Sequence, residues 1–240
     1  MIHSITCLFP HCFSRQLLSM LVLAFALLSP LSIHATTPAT ALDDYINIID
    51  GPGILPVSEV EGEGYTFYLI LMSSQHWRSV AEVDRTEWTH WMGIVVPNQV
   101  VTDTGMLVIA GGSNSPLPSI DDEDIELAAG IAITSGSVVT VLGQVPNQPL
   151  FFTDEPFAHS EDELVAYSFD KALDTGDWFW PAYLPMTKAA VRAMDTIQLF
   201  SGSLVPRSTS KHEIHAVLRS SRRKDRFLWR SVRHSRSCDT

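Results

Sequence analysis

The residues best suited to chemistry in this 240-residue chain stand in one short run, Gly111-Gly112-Ser113-Asn114. Glycine lets the backbone take positive φ and approach a ligand closely. Successive amides in such a loop can donate to an oxygen that is gaining negative charge. Oxyanion stabilisation is therefore the chemistry that fits, with the amides near Gly112 and Ser113 as donors. A tight turn between a strand and a helix needs the same residues, and the run alone does not separate the two roles. Ser113 does not fit as a nucleophile. The G-x-S-x-G pattern that presents a serine on a strand-to-helix turn is absent, and Gly202-Ser203 lacks the strand that such a turn requires.

Other candidates are weaker. Beyond residue 35 the histidines are His76, His90, His159, His212, His215 and His234. None shows the H-x-x-x-H or H-E-x-x-H spacing that puts two ligands on one helical face. His90, between Trp88 and Trp91, reads as a packed structural residue. Asp121–Asp124 lacks the alternating spacing of a calcium loop and reads as a solvated helix start. No metal or cofactor site is expected. Trp77, Trp88, Trp91, Trp178 and Trp180 could form a stacking surface or core mass, and spacing does not choose between them.

The elements that must position the glycine run follow from periodicity. Met106–Ala110 is a short apolar run bounded by glycine, the pattern of a buried, parallel strand. Tyr65–Met72 and Glu87–Val96 read as strands that pair antiparallel, and Ser137–Leu142 as a further β-branched strand. The acidic run from Asp121 opens a helix with Ile125, Ala128, Ala129 and Ala132 on one face. Ser160 and Glu163 form a capping box for the next helix, with Leu164, Val165, Phe169, Ala172 and Leu173 inward and a stop near Gly176. Pro185 opens a third helix, with Val191, Met194, Ile197 and Gln198 as its buried stripe. Thr36–Gly64 reads as linker and coil with at most one short strand. This alternation predicts an α/β layered fold, with the glycine run at the carboxyl edge of the sheet, where such folds place their sites. A further central parallel strand leading into a sharp turn is expected next, and no periodic segment supplies it.

Net charge divides sharply, −19 over Thr36–Pro206 and +7 over Arg207–Thr240. An acidic body with a basic end prompts a nucleic-acid or membrane hypothesis, but the basic end lacks aromatic interleaving beyond Phe227 and Trp229, so nucleic acid is not expected as a partner. Arg15 followed by the apolar run Leu17–Leu28 reads as a signal peptide over residues 1–35, too short for a stable membrane span once cleaved. A secreted or periplasmic location follows. Cys7 and Cys12 then leave with the signal, and Cys238 lies in the basic end, so no disulfide framework is expected.

Several blocks in order together resemble the PhoPQ-activated pathogenicity-related proteins. They are Leu42–Tyr45 (LDDY), Ser74–Arg78 (SQHWR), Val83–Trp91 (VDRTEWTHW) and the segment from Ile94 (IVVPNQV). Gly111–Asn114, Gln144–Leu150 (QVPNQPL), Ser160–Lys171 and Leu184–Asp195 continue the match. The resemblance implies a secreted protein with an α/β-hydrolase-like three-layer sandwich over residues 65–200. It implies a serine nucleophile on a G-A-S-K-R-G-W turn, with an acid and a histidine later. None of these is found here, so the fold is expected to be incomplete at its C-terminus and the chain catalytically incomplete. Residues 201–240 read as a basic disordered tail out of frame: a one-phase shift of codons allowed for Phe227–His234 permits Phe-Val-Ala-Phe-Gly-Ala-Ser. The resemblance also admits a non-catalytic secreted factor that binds a small molecule or a surface partner.

Overall fold

The computed structural model describes residues 36–50, 53–114, 122–204 and 213–218, with 201–204 and 213–218 described by backbone alone. Residues 1–35, expected to be a signal peptide, most of the basic end and Ser115–Asp121 lie outside the described residues. In chain order the elements are α1 (Ala41–Ile46), β1 (Gly53–Gly62), β2 (Tyr65–His76), β3 (Glu87–Pro97) and β4 (Thr104–Ile109). There follow α2 (Glu123–Ser135), β5 (Val139–Leu142), β6 (Leu150–Phe151), β7 (Ala158–His159), α3 (Glu161–Thr175), α4 (Tyr183–Leu204) and β8 (Glu213–Leu218).

Six strands form one mixed sheet in the order β1-β2-β3-β5-β4-β8, and β6 pairs with β7 apart from it. The first three pair antiparallel, β3 meets β5 antiparallel, and β4 runs parallel to both β5 and β8. The expected parallel strand is β4, buried at Leu107 and Val108 but only half-buried at Met106 and Ile109, and it ends where β5 ends, with Ile109 beside Leu142. Gly111 and Gly143 therefore leave the sheet side by side at its carboxyl edge.

Two helices cover the sheet. On one face α2 lays Ile125, Ala128, Ala129 and Ala132 against Phe67, Leu69, Val95 and Val141. The approach is close because Gly93 carries no side chain: a Cβ there would sit 2.6 Å from Ile125 Cδ1. On the other face α4 packs Ala193 and Ile197 against Ile70, Met72, Met92, Ile94 and Leu107. Trp77, Trp88, Phe152 and Trp180 fill a third cluster with Leu164 and Ala172 of α3. These three tryptophans are thus core, while Trp91 and Trp178 are half-buried.

Several expectations need correction. Thr36–Gly64 is not simply coil, since it contains α1 and the ten-residue β1. β1 is an edge strand exposed along nearly its whole length, so it shows no apolar alternation, and Pro56 sits beside a bulge, as an edge allows. Ser160 is the N-cap of α3 but makes no side-chain cap bond, so the capping box is not formed. Gln148 Oε1 accepts from Glu161 N–H instead, at 2.6 Å. Helix α4 starts at Tyr183, which leaves Pro185 inside the first turn rather than opening it. Its buried positions include Lys188, Ala189, Ala190, Ala193, Thr196 and Ile197, whereas Gln198 is exposed. On α3, Phe169 and Leu173 also face solvent. Finally, a strand parallel to β4 is present as β8, at the edge of the sheet rather than at its centre as expected, and α4 runs on to Leu204, so residues 201–240 are not wholly a tail.

Candidate functional site

Gly112 has φ +122, a backbone state that side chains disfavour, and a Cβ there would find only Gln144 N at 3.9 Å. Gly112 and Ser113 are exposed. Among the described residues, neither of their N–H groups donates to another group. The carbonyls that flank them are engaged: Gly111 O accepts from Gln144 N–H (3.1 Å) and Ser113 O from Gln144 Nε2 (3.2 Å). Asn114 N–H donates to Gln148 O, and Val145 N–H to Ala110 O (3.2 Å). The predicted four residues are thus brought together at the edge, clasped by the loop 143–149 that follows β5. Two free amides beside bonded carbonyls present a local excess of donors, which is the polarity an oxyanion requires.

The loop 143–149 is itself fixed to β3. Asn147 is fully buried, and its Oδ1 accepts from Thr89 N–H (3.0 Å) while Nδ2 donates to Thr89 O (2.7 Å) and Gln144 O (3.1 Å). His90 is equally buried. Its Nδ1 lies 3.2 Å from Gly143 O, which can only accept, so Nδ1 carries the proton and Nε2 does not. Ser74 Oγ stands 3.0 Å from Nε2 and receives Gln75 Nε2 at 2.8 Å. Ser74 reaches inward because the β2–β3 register shifts between Ser73 and Gln75, a bulge that re-aims one side chain. Burial lowers the His90 pKa to about 4, so the ring is neutral. A serine and a histidine in contact invite a catalytic reading, but this pair is sealed from solvent and works as a brace.

Arg78 stands nearby in the aromatic cluster, its guanidinium 3.9 Å over Trp180. It bonds Asp177 at 2.7 Å and also Glu82. Burial alone would raise the Glu82 carboxyl, but hydrogen bonds from Arg78 and Ser79 outweigh it and hold its pKa below the ordinary carboxylate range. Two carboxylates occupy this cation, so it is not free to receive an anionic ligand. Among the described residues there is no cluster of metal-ligating side chains, and no helix is long and apolar enough to cross a membrane.

Sequence reasoning located the glycine run and missed its support. Gln144, Asn147 and Gln148 carry no motif of their own. Their signals were that the proline-flanked block QVPNQPL reads as loop and is one of the blocks that carry the family resemblance, and neither says what these side chains hold. Nothing local in the sequence pairs Asn147 with Thr89.

Fold and loop together define an α/β protein with the exposed Gly112 and Ser113 amides at the carboxyl edge of a mixed sheet. Comparison with known proteins sharpens this. Residues 54–212 match the model of the PhoPQ-activated pathogenicity-related proteins, and the chain belongs to that family. It is also similar to autocrine proliferation repressor protein A of Dictyostelium discoideum, 38% identical over 178 residues. That match covers 72% of this chain and 35% of the relative, so the chain spans about a third of the relative's length. A candidate acetyl xylan esterase from Bacteroides fragilis superposes with a TM-score of 0.37 at 9% identity, over 68% of this chain and 42% of its own. A likeness at that score bears on neither the fold nor the site.

Proposed function

We propose that the Gly112–Ser113 amides are the oxyanion half of an α/β-hydrolase-like acyl-transfer site, and that the chain as given binds an oxyanion without turning over an ester. The observation that carries this reading is the pair of exposed amides that find no acceptor among the described residues, set between carbonyls that are already bonded. The second half of the reading rests on Ser74–His90, the one Ser–His hydrogen bond among the described residues, which lies where no substrate can reach. A secreted or periplasmic location is proposed on the run Arg15–Ala35, and N-terminal sequencing of exported protein tests it. Nucleic acid is not a proposed partner, since the basic end lacks aromatic interleaving beyond Phe227 and Trp229.

A second reading is a non-catalytic secreted factor that binds a surface partner. The similarity to a proliferation repressor favours it. Two measurements follow: the first tests the catalytic part, and the second separates the readings. Incubation with 4-nitrophenyl acetate should give no release above solvent, and turnover would overturn the catalytic part. Titration of isotopically labelled protein with methylphosphonate, a tetrahedral oxyanion, should shift the Gly112 and Ser113 amide resonances. Unmoved amides would sink the oxyanion reading and leave the binding factor.

A further inference from the structure

The loop 143–149 is held far more firmly than a connection between β5 and β6 needs. Gln144 has φ 61, a conformation that non-glycine residues rarely adopt. Such a state persists only where its surroundings over-determine it. Here they do. Its N–H is bonded to Gly111 O, its carbonyl to Asn147 Nδ2, and its side-chain amide to Ser113 O. One residue therefore holds the carbonyls on both sides of the Gly112–Ser113 amides. Its own place is set from β3, by Asn147 on the Thr89 backbone and by His90 on Gly143 O.

We propose that His90 and Asn147 are positioning residues that aim the Gly112 and Ser113 N–H groups, acting through Gly143 and Gln144. This rests on the oxyanion reading given above. Neither side chain reaches the amides, so neither touches a ligand. The path runs from adjacent residues of one strand, Thr89 and His90, across a strained loop to a glycine turn that makes few bonds of its own. Fixing the carbonyls beside the two amides matters because two donors must converge on one oxygen, and a shift of a few tenths of an ångström loses one of them. A purely structural role for His90 would alter stability and leave anion affinity in the folded protein unchanged.

The experiment is a methylphosphonate titration of the full chain, read at the Gly112 and Ser113 amide resonances, with stability measured in parallel. His90→Phe keeps a ring and removes the donor to Gly143 O; affinity should fall about tenfold. His90→Asn keeps a donor near the Nδ1 position and should recover most of that loss. Gln144→Met, at a half-buried loop site whose backbone bonds to Gly111 O and Asn147 Nδ2 are kept, should weaken binding roughly three- to tenfold, and decides the matter if His90→Phe fails to fold. Wild-type affinity in Gln144→Met, or equal losses in His90→Phe and His90→Asn, would overturn the positioning role. Wild-type amides that do not respond at all would instead overturn the oxyanion reading on which it stands.

Discussion

Acidification should remove roughly 3 kcal/mol of stability through one side chain, His90. Its pKa in the folded protein is about 4 against an ordinary 6.5, because burial disfavours the charged ring. Each pH unit of that gap is worth about 1.36 kcal/mol. The sign follows from proton counting. Between those two values the unfolded chain binds a proton that the folded one refuses, so unfolding gains as pH drops. The His90 contribution is whole above the ordinary histidine range, declines as pH falls through it, and is gone once the folded pKa is passed. Urea unfolding from about pH 7 to about pH 4.5 measures the slope. His90→Asn has no titrating ring, so its stability should fall less steeply over the same window. Carboxylates such as Glu82, whose folded pKa is lowered, add a loss at lower pH that both proteins share. Parallel curves for wild type and His90→Asn would refute the buried neutral imidazole.

Three further outcomes follow from the packing. Gly112→Ala should cost about 1–3 kcal/mol from backbone conformation alone, since space is available, whereas Gly111→Ala, with nothing within 4 Å, should cost much less; thermal unfolding compares them. Lys188 is buried under Tyr45 and bonds Asp50 and Ile48 O, so Lys188→Ala should cost about 3–5 kcal/mol and open the segment after α1 to protease, while Lys188→Met with Asp50→Leu should recover much of it. Arg78→Met should cost about 1–3 kcal/mol, discounted because Glu82 and Asp177 are partly exposed, and a double-mutant cycle with Asp177→Asn should show coupling.

How far the sequence could be read depended on whether each residue's environment was local. Met106–Ala110 and the acidic first turn of α2 declare themselves within a few residues, and both were found, with Asp122 as N-cap. The inward face of α2 was legible because its small apolar residues repeat at helical spacing. The buried face of α4 was legible only at Ile197, because the rest is built from alanines, a threonine and Lys188, whose burial depends on Asp50 far away in sequence. Edge strand β1 hid for the opposite reason: with both faces exposed, it has no pattern to show. β8 was missed because its residues lie in a segment rich in arginine and serine, where six residues of strand do not stand out. At the site, the glycine run was visible and the brace was not. Asn147 and Gln148 acquire meaning only when the fold sets them against Thr89 and Glu161.

A crystal structure of the chain with methylphosphonate bound would examine the proposed role of the carboxyl edge most directly. One phosphonate oxygen should lie about 2.7–3.1 Å from both the Gly112 and Ser113 nitrogens, with Gln144 still bonded to the carbonyls on either side. An anion seated elsewhere, for instance displacing Asp177 at Arg78 while the glycine loop faces only solvent, would contradict it.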